Sequence, residues 1–177
     1  MTSYQLGHQI ITRSYDANDA LTDIASAALN LHFARDALGH ITALTYPDGN
    51  QANYAYTDGV VSAVTLKIGS TTINGATGIT YRPMDMAMST WTSSNGLANT
   101  LSYDTDGRLT SISVPGKQSL ALTYDSANRI SRITNGIDTT LTQDFGYDAM
   151  SRLTSVSSGA DNESIQYDAN GNRLMQS

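Results

Sequence analysis

Short runs of apolar and β-branched residues recur along the whole chain, each preceded by a cluster of Asp, Asn, Gly or Ser. The run Leu109-Thr110-Ser111-Ile112 shows this pattern most clearly. Runs of this length, rich in Leu, Ile, Val, Thr and Tyr, are typical of β-strands, and the clusters between them are typical of turns. The pattern therefore predicts an all-β protein made of short strands joined by tight turns.

The segment before this run has the composition of a type I turn. Asp104 suits the first position, because its carboxylate can accept backbone N–H groups within the turn. Gly107 falls at the fourth position, where a left-handed residue often follows a type I turn and glycine has no Cβ penalty. Tyr103 closes the preceding strand and Arg108 leads into the next one. The segment thus predicts a hairpin whose turn geometry is set by Asp and Gly.

Copies of this segment recur at a nearly constant interval. The residue after each anchor position is number 16, 36, 57, 82, 104, 125, 148 or 168, so the intervals run from 20 to 25 residues. Such a steady period is typical of repeat architectures. We therefore expect residues 1–177 to form a single array of about eight repeats, folded as a repetitive antiparallel ribbon of β-hairpins. The residues predicted to build its turns are Tyr103, Asp104, Gly107, Arg108, Tyr124, Asp125, Asn128, Arg129, Tyr147, Asp148, Arg152, Tyr167, Asp168 and Gly171.

A second set of turns is needed to send the chain back between anchors. Asn-Gly is the strongest short hairpin signal, and it predicts turns at Asn74-Gly75, Asn95-Gly96 and Asn135-Gly136. The segment Tyr46-Pro47-Asp48-Gly49-Asn50 predicts another tight turn. Each repeat is therefore expected to contain a strand, a turn, a strand and a turn.

Two stretches near the N-terminus carry weaker signals. Residues 1–14, which include His8, predict one entering strand. Residues 17–38 contain Leu21, Ile24, Ala25, Ala28 and Leu29 at helical spacing, and alanine is a strong helix former. The repeat register instead predicts a strand near residues 21–24 and a return strand near residues 29–33. We favour the strands, because the flanking copies share that register.

Composition excludes several classes of function. The chain has a net charge of −6, which argues against a nucleic-acid partner, and its two lysines cannot make a polybasic membrane patch. No run of 18 apolar residues occurs, and no classical signal peptide is visible, so we expect no insertion into a membrane. The absence of cysteine excludes disulfides and thiolate metal sites.

The candidate chemical groups favour a structural role. Catalysis needs one special pair of acids, whereas repeated turns need one Asp each, so we assign Asp104, Asp125, Asp148 and Asp168 to turns. The Arg residues that follow are expected to stack on neighbouring tyrosines or to pair across strands. The segment Asp168-Ala169-Asn170-Gly171-Asn172 departs from a calcium loop in its glycine position and lacks the final Glu. We predict no catalytic residue, no cofactor and no metal.

The repeated pattern Tyr-Asp-x-x-Gly-Arg-Leu-Thr resembles the YD repeats of Rhs proteins, of the shell components of insecticidal ABC toxin complexes and of the teneurin barrel. The likeness covers essentially all 177 residues and is most specific at Tyr103–Ile112 and Tyr167–Leu174. The resemblance implies a β-ribbon that spirals into a hollow shell, with a toxic C-terminal segment held inside. Bacterial members also carry a self-cleaving region that this sequence lacks, so we expect a fragment of shell wall.

This resemblance sets the expected function and partners. We predict a structural β-repeat protein for encapsulation or self-assembly, secreted or at the cell surface, whose partner is the rest of a longer Rhs-type chain or another copy. Terminal repeats with unpaired strand edges would join copies head to tail into a ring or a filament. The alternative is a cell-surface module whose tyrosine rings bind glycans. Rings buried between layers would favour the first function, and an exposed row of rings would favour the second.

Overall fold

A computed structural model describes residues 2–6, 9–159 and 161–176, with side chains described for residues 10–159 and 161–174. Its described residues form seventeen strands and one short 3₁₀ helix, Thr139–Leu141. The strands are β1 (Thr2–Leu6), β2 (Gln9–Tyr15), β3 (Leu21–Ala25), β4 (Asn30–Arg35), β5 (Ile41–Thr45), β6 (Gln51–Thr57), β7 (Val60–Ile68), β8 (Thr71–Tyr81), β9 (Met88–Ser93), β10 (Ala98–Tyr103), β11 (Leu109–Val114), β12 (Gln118–Tyr124), β13 (Ile130–Asn135), β14 (Gln143–Tyr147), β15 (Leu153–Ser158), β16 (Asn162–Tyr167) and β17 (Arg173–Gln176).

The chain divides into two compact units. The first comprises residues 1–80 and 91–96, and the second comprises residues 81–90 and 97–177. In the first unit, β1 to β8 pair antiparallel in chain order, each strand with the next. In the second unit, β10 to β17 do the same. The all-β class and the repetitive antiparallel hairpin ribbon are confirmed.

Side chains alternate between an apolar and a polar face of each ribbon. Along β12, Leu120, Leu122 and Tyr124 are half-buried, whereas Ala121 and Thr123 between them are exposed. Strand register places like residues side by side, as in the cross-strand row Leu101, Ile112 and Leu120. This two-residue alternation follows from the pleat of a strand and puts the apolar residues of successive repeats on one face.

The ribbon has almost no fully buried interior. Among the described side chains, only Ala52, Ile79 and Ile165 are buried, and no polar side chain is. Most apolar residues of the strands are half-buried against their neighbours in the sheet. The apolar face of each unit thus keeps much of its surface accessible.

The second set of turns agrees only in part with the sequence predictions. Residues 46–50 form the predicted turn, and so do residues 93–96, where the Gly96 amide donates to the Ser93 carbonyl. The prediction at Asn74-Gly75 is wrong: both residues lie within β8, beside an irregularity in its pairing with β7, and the turn is made at residues 69–70.

The prediction at Asn135-Gly136 is also wrong, because a longer loop that contains the 3₁₀ helix joins β13 to β14. The Asn135 side chain accepts the amides of Ile137 and Asp138, and Gly136 donates to the Ser119 carbonyl. In this loop and at Asn74-Gly75, contacts with the neighbouring strand override the local preference of Asn-Gly for a two-residue turn.

The N-terminal stretches are strands throughout the described residues. Residues 17–38 contain β3 and β4, which confirms the β interpretation over the helical one. The single entering strand predicted over residues 1–14 is wrong, since β1 and β2 pair there as a hairpin, while His8 lies outside the described residues. No helix in the described stretches is long and apolar enough to cross a membrane.

Candidate functional site

Each anchor turn of the second unit is built around the carboxylate of its Asp. In the first of them, the Asp104 Oδ1 atom accepts the amides of Asp106 and Arg108, at 3.0 and 2.9 Å. The Asp104 amide in turn donates to the Arg108 carbonyl, and the Gly107 amide donates to the Asp104 carbonyl. The turns of Asp125, Asp148 and Asp168 repeat these contacts. The carboxylate therefore acts as the acceptor that closes the turn.

The fourth residue of each anchor turn is left-handed. Its φ angle is +80° at Gly107, +61° at Asn128, +62° at Ser151 and +86° at Gly171. A left-handed residue after a type I turn returns the chain with the twist of a hairpin and places a bulge next to it. The register does shift at the tyrosine that precedes each of these turns.

The second carboxylate oxygen binds the arginine of the same turn. The Nε atom of Arg108, Arg129 or Arg152 lies 2.7, 2.8 or 2.6 Å from the Oδ2 atom of the Asp four residues earlier. Backbone and side-chain hydrogen bonds from Arg129 hold the pKa of Asp125 below its ordinary value. In the last turn Asn172 takes the place of arginine, and its side-chain hydrogen bond lowers the pKa of Asp168.

The same guanidinium groups stack on the tyrosine of the next repeat. The distance from the Arg Cζ atom to the ring centroid is 4.8 Å for Arg108 and Tyr124 and 4.5 Å for Arg129 and Tyr147. Arg152 lies 4.6 Å from Tyr167 in the same way. Each arginine thus fastens its own turn through Asp and reaches the neighbouring repeat through a cation–π contact.

The tyrosine hydroxyl completes the connection between repeats. Tyr124, Tyr147 and Tyr167 each donate a hydrogen bond of 2.8 Å to the carbonyl of Leu109, Ile130 or Leu153. Each of these acceptors is the first strand residue after the arginine of the previous turn. We call these contacts between an anchor turn and the side chain at the anchor position of the next repeat the ladder; in the second unit they run from Arg82 to Asn172.

Arginine also reaches the left-handed residue of the next turn. The Arg108 Nη1 atom donates to the Asn128 side chain, and Arg129 Nη1 donates to Ser151 Oγ at 3.2 Å. At these two left-handed positions, the side chain thus accepts a hydrogen bond that glycine could not offer.

Sequence reasoning missed two members of the ladder. Arg82, in the turn rebuilt on Pro83, lies 4.7 Å from the Tyr103 ring, and the Tyr103 hydroxyl donates to the Met88 carbonyl. In the first unit, His40 stacks on Tyr56 at 4.6 Å and bonds to Asp36 at 2.9 Å. The signal was available, because His40 follows its Asp by four residues as the arginines do.

The first unit also carries a substitute for tyrosine. Arg35 holds the anchor position, and its Nη2 atom donates to the Leu21 carbonyl at 3.5 Å. That carbonyl is the counterpart of the Leu109 and Leu153 acceptors in the second unit. Arg35 therefore makes the hydrogen bond of a tyrosine hydroxyl, although its buried Nε atom has no hydrogen-bond partner.

The charged and aromatic groups of the ladder are engaged with one another. Its carboxylates already accept several hydrogen bonds each, and the lowered pKa values of Asp104, Asp125 and Asp148 favour the charged carboxylate. Among the described residues, no group of three His, Cys, Asp or Glu side chains is placed to hold a metal ion. What the arrangement can do is couple one turn to the next.

Comparison with known proteins supports the repeat architecture. No known family profile matches the chain, and no curated protein matches its sequence. The Tc holotoxin pore of Photorhabdus luminescens matches 95% of this chain with a TM-score of 0.77 and 18% identity. The complex TcdB2–TccC3–Cdc42 matches 96% with a TM-score of 0.75 and 17% identity, and TcdB2–TccC3 without its hypervariable C-terminal region matches 93% with 0.74 and 17%.

These matches show the fold. This chain spans 10% of the length of each of these three structures' matched chains. The present chain has the fold of a stretch of each of these structures, and this fold agrees with that of YD repeats. The resemblance inferred from the repeated Tyr-Asp pattern is confirmed at this level.

Proposed function

We propose that this chain is a stretch of the wall of a β-shell, part of a longer Rhs-type chain whose apolar face encloses an unfolded polypeptide. Two findings support the proposal: the chain has the fold of a Tc toxin shell, and it spans a tenth of the matched chains. By the same analogy the shell is secreted or displayed at the cell surface. The observation that carries the proposal is the accessible apolar face of each unit.

Among the described residues, each unit has an apolar pocket on this face, and the two pockets are built from equivalent parts of the repeat. The pocket in the first unit has a volume of about 210 Å³ and is lined by Phe33, Ile41, Leu44, Tyr54, Tyr56 and Val61. The pocket in the second unit has the same volume and is lined by Ile130, Ile133, Phe145, Tyr147 and Leu153. The two phenylalanines of the chain occupy equivalent positions, three residues before Asp36 and Asp148. Pockets of this size accept an apolar side chain of an extended segment.

The ladder suits a wall, because within the second unit it joins successive repeats without needing a thick core. A repeat in such an array contacts its neighbours, and its stability comes from those interfaces. The tyrosine rings of the ladder are half-buried, each is covered on one side by a guanidinium group, and each donates a hydrogen bond through its hydroxyl. These contacts favour a structural role for the rings over stacking against sugars.

Binding of a permanently unfolded protein tests the proposal. Fluorescently labelled, reduced and carboxymethylated α-lactalbumin is titrated with this chain, and anisotropy is recorded. We expect saturable binding that weakens roughly tenfold when both Phe33→Ser and Phe145→Ser are introduced, because apolar burial is lost. The control Thr123→Ala, on the polar face, should bind as the unchanged chain does. Absence of binding, or equal loss in the control, would contradict the proposal.

Light scattering tests the association of copies that the sequence predicted. If terminal repeats join copies head to tail, the mass in solution exceeds the 18.9 kDa of one chain and rises with concentration. A constant mass of one chain over a wide concentration range would exclude self-assembly. The rest of a longer Rhs-type chain would then remain as the proposed partner.

A second function, glycan binding, is favoured by one cleft outside the ladder. Tyr46 is 41% exposed and lines a cleft of about 490 Å³ together with Asp48, Asn50 and Lys67. An accessible aromatic ring beside several polar groups is a common composition of sugar sites. Binding on a glycan array that is lost in Tyr46→Ala and kept in Tyr147→Phe would support this function; no binding on the array would remove it.

A further inference from the structure

Half of the methionines in the chain lie within five residues. Of six in total, three alternate in the segment Met84-Asp85-Met86-Ala87-Met88. Residues two apart have Cα atoms no more than about 7 Å from each other, even in a fully extended chain. Methionine side chains are long and flexible, with a polarisable sulfur at the δ position. The spacing therefore allows three thioether sulfurs to reach one point.

The backbone of this segment is held in a closed turn. The Arg82 amide donates to the Ala87 carbonyl at 2.8 Å, and the Met86 amide donates to the Arg82 carbonyl at 3.0 Å. Met88 follows directly as the first residue of β9, and its carbonyl accepts the Tyr103 hydroxyl. The turn is thus fastened at its base to the ladder, and its methionines start from fixed backbone positions.

Two features of these methionines are unusual for apolar residues. Met84 is 87% exposed and Met86 is 51% exposed, although methionine is usually buried. Met86 has a φ angle of +56°, in the left-handed slot that Gly107, Asn128 and Ser151 fill in later turns. Strain of this kind is a reason to look for a function at the strained residue.

The neighbouring charged groups are already paired. The Asp85 Oδ2 atom lies 3.3 Å from Arg82 Nη1, and Asp85 Oδ1 accepts the Ala87 amide. The site offers uncharged soft sulfur ligands in place of free carboxylates. Such ligands select monovalent copper and its analogue silver over hard cations such as Mg²⁺ or Ca²⁺.

We propose that Met84, Met86 and Met88 form a binding site for a soft monovalent cation, Cu(I) or Ag(I), at the turn between β8 and β9. The three thioether sulfurs supply the ligands, and the hydrogen-bonded turn holds the backbone from which the three side chains extend. Met150 provides the comparison, because it is 68% exposed in the anchor turn of Asp148 but has no second methionine near it in the sequence.

Silver titration of protein labelled with ¹³C at the methionine methyl groups tests the site. We expect the methyl signals of Met84, Met86 and Met88 to shift together and to stop shifting at one equivalent, while the Met150 signal stays in place. Under anaerobic conditions with a chromophoric Cu(I) chelator as competitor, the combined Met84→Leu, Met86→Leu and Met88→Leu variant should lose at least tenfold in Cu(I) affinity, and Met150→Leu should lose none.

A further variant separates binding from folding. Met86→Gly removes a ligand and also relieves the positive φ, so we expect it to unfold at a higher denaturant concentration while binding Cu(I) more weakly. Equal shifts at Met150 and the three clustered methionines, no shift at all, or unchanged Cu(I) affinity in Met86→Gly would each overturn the proposal.

Discussion

The two units make the same kinds of contact between repeats, in part with the same residue types and in part with different ones. In the second unit, Arg129 stacks on Tyr147, and the Tyr147 hydroxyl binds the Ile130 carbonyl. In the first unit, His40 stacks on Tyr56, and Arg35 binds the Leu21 carbonyl. What stays constant is the carboxylate that closes the turn and the carbonyl that accepts a donor from the next repeat. The comparison teaches that the backbone acceptor defines the ladder, while several side chains can supply the donor.

The largest loss of stability is expected when a ladder tyrosine is removed. Tyr147→Ala removes a half-buried ring, its cation–π partner and a hydroxyl bond, and we expect a loss of about 3 kcal/mol in the free energy of unfolding. Tyr56→Ala should lose less free energy of unfolding, because its ring stacks on the His40 imidazole and has no guanidinium partner, while its hydroxyl bond to the Ile41 carbonyl is of the same kind. Urea denaturation measures both. Tyr46→Ala is the control, and a loss there equal to that of Tyr147→Ala would refute the ranking.

The next largest loss of stability should come from a substitution that strains the backbone of a turn. Gly107→Val forces a β-branched residue to a φ of +80°, which costs roughly 2 kcal/mol. Ser151→Gly in the equivalent slot relieves strain but loses the hydrogen bond from Arg129, so its effect should stay within about 0.5 kcal/mol. Equal shifts in the urea midpoint for the two variants would show that residues 107 and 151 do not both occupy a left-handed position that favours glycine.

Acid should weaken the second unit through its carboxylates. Partial burial acts to raise the pKa of Asp104, but hydrogen bonds from Arg108 outweigh it and hold the pKa below its ordinary value. This stabilisation is present above the pKa of a free Asp, about 3.9, and is lost as pH falls through the lower pKa of the folded state. Asp104→Asn should therefore be less stable at neutral pH and lose less on acidification. Parallel stability–pH curves for both proteins would contradict this.

The smallest effect should come from making the first unit resemble the second. Arg35→Tyr with His40→Arg restores the common residues and removes the unpaired Arg35 Nε atom. We expect a gain of about 0.5–1 kcal/mol in the free energy of unfolding. Either substitution alone should give a smaller gain in stability. If the double substitution destabilises the protein, the side chains of the first unit do not have the geometry of the ladder in the second unit.

The repeat and its strands could be predicted from the sequence because their signals are local. The interval between anchors, the Asp at the head of each turn and the left-handed slot at Gly107 depend on a few neighbouring residues. At the two Asn-Gly pairs where the predicted turn was wrong, contacts with the neighbouring strand determine the local structure. At residue 75, an added Cβ atom would meet the Val64 carbonyl oxygen at 3.2 Å. Glycine there serves a close approach between strands, which a turn propensity does not describe.

The contacts between repeats could be foreseen only in outline. Stacking of arginine on tyrosine follows from their recurrence, but the partner of each hydroxyl is a backbone carbonyl, which every residue offers equally. The role of Arg35 depends on the position of Leu21 across the sheet, 14 residues earlier. Only the register of the strands supplies that information.

The central claim, that the ladder couples one repeat to the next, is tested most directly by a double-mutant cycle on Arg129 and Tyr147. The variants Arg129→Met, Tyr147→Leu and their combination are compared with the unchanged chain by urea denaturation. The ladder predicts a coupling energy of about 0.5–1.5 kcal/mol between the two residues, since they share a cation–π contact across repeats. Additive losses, with no coupling beyond the error of measurement, would contradict it.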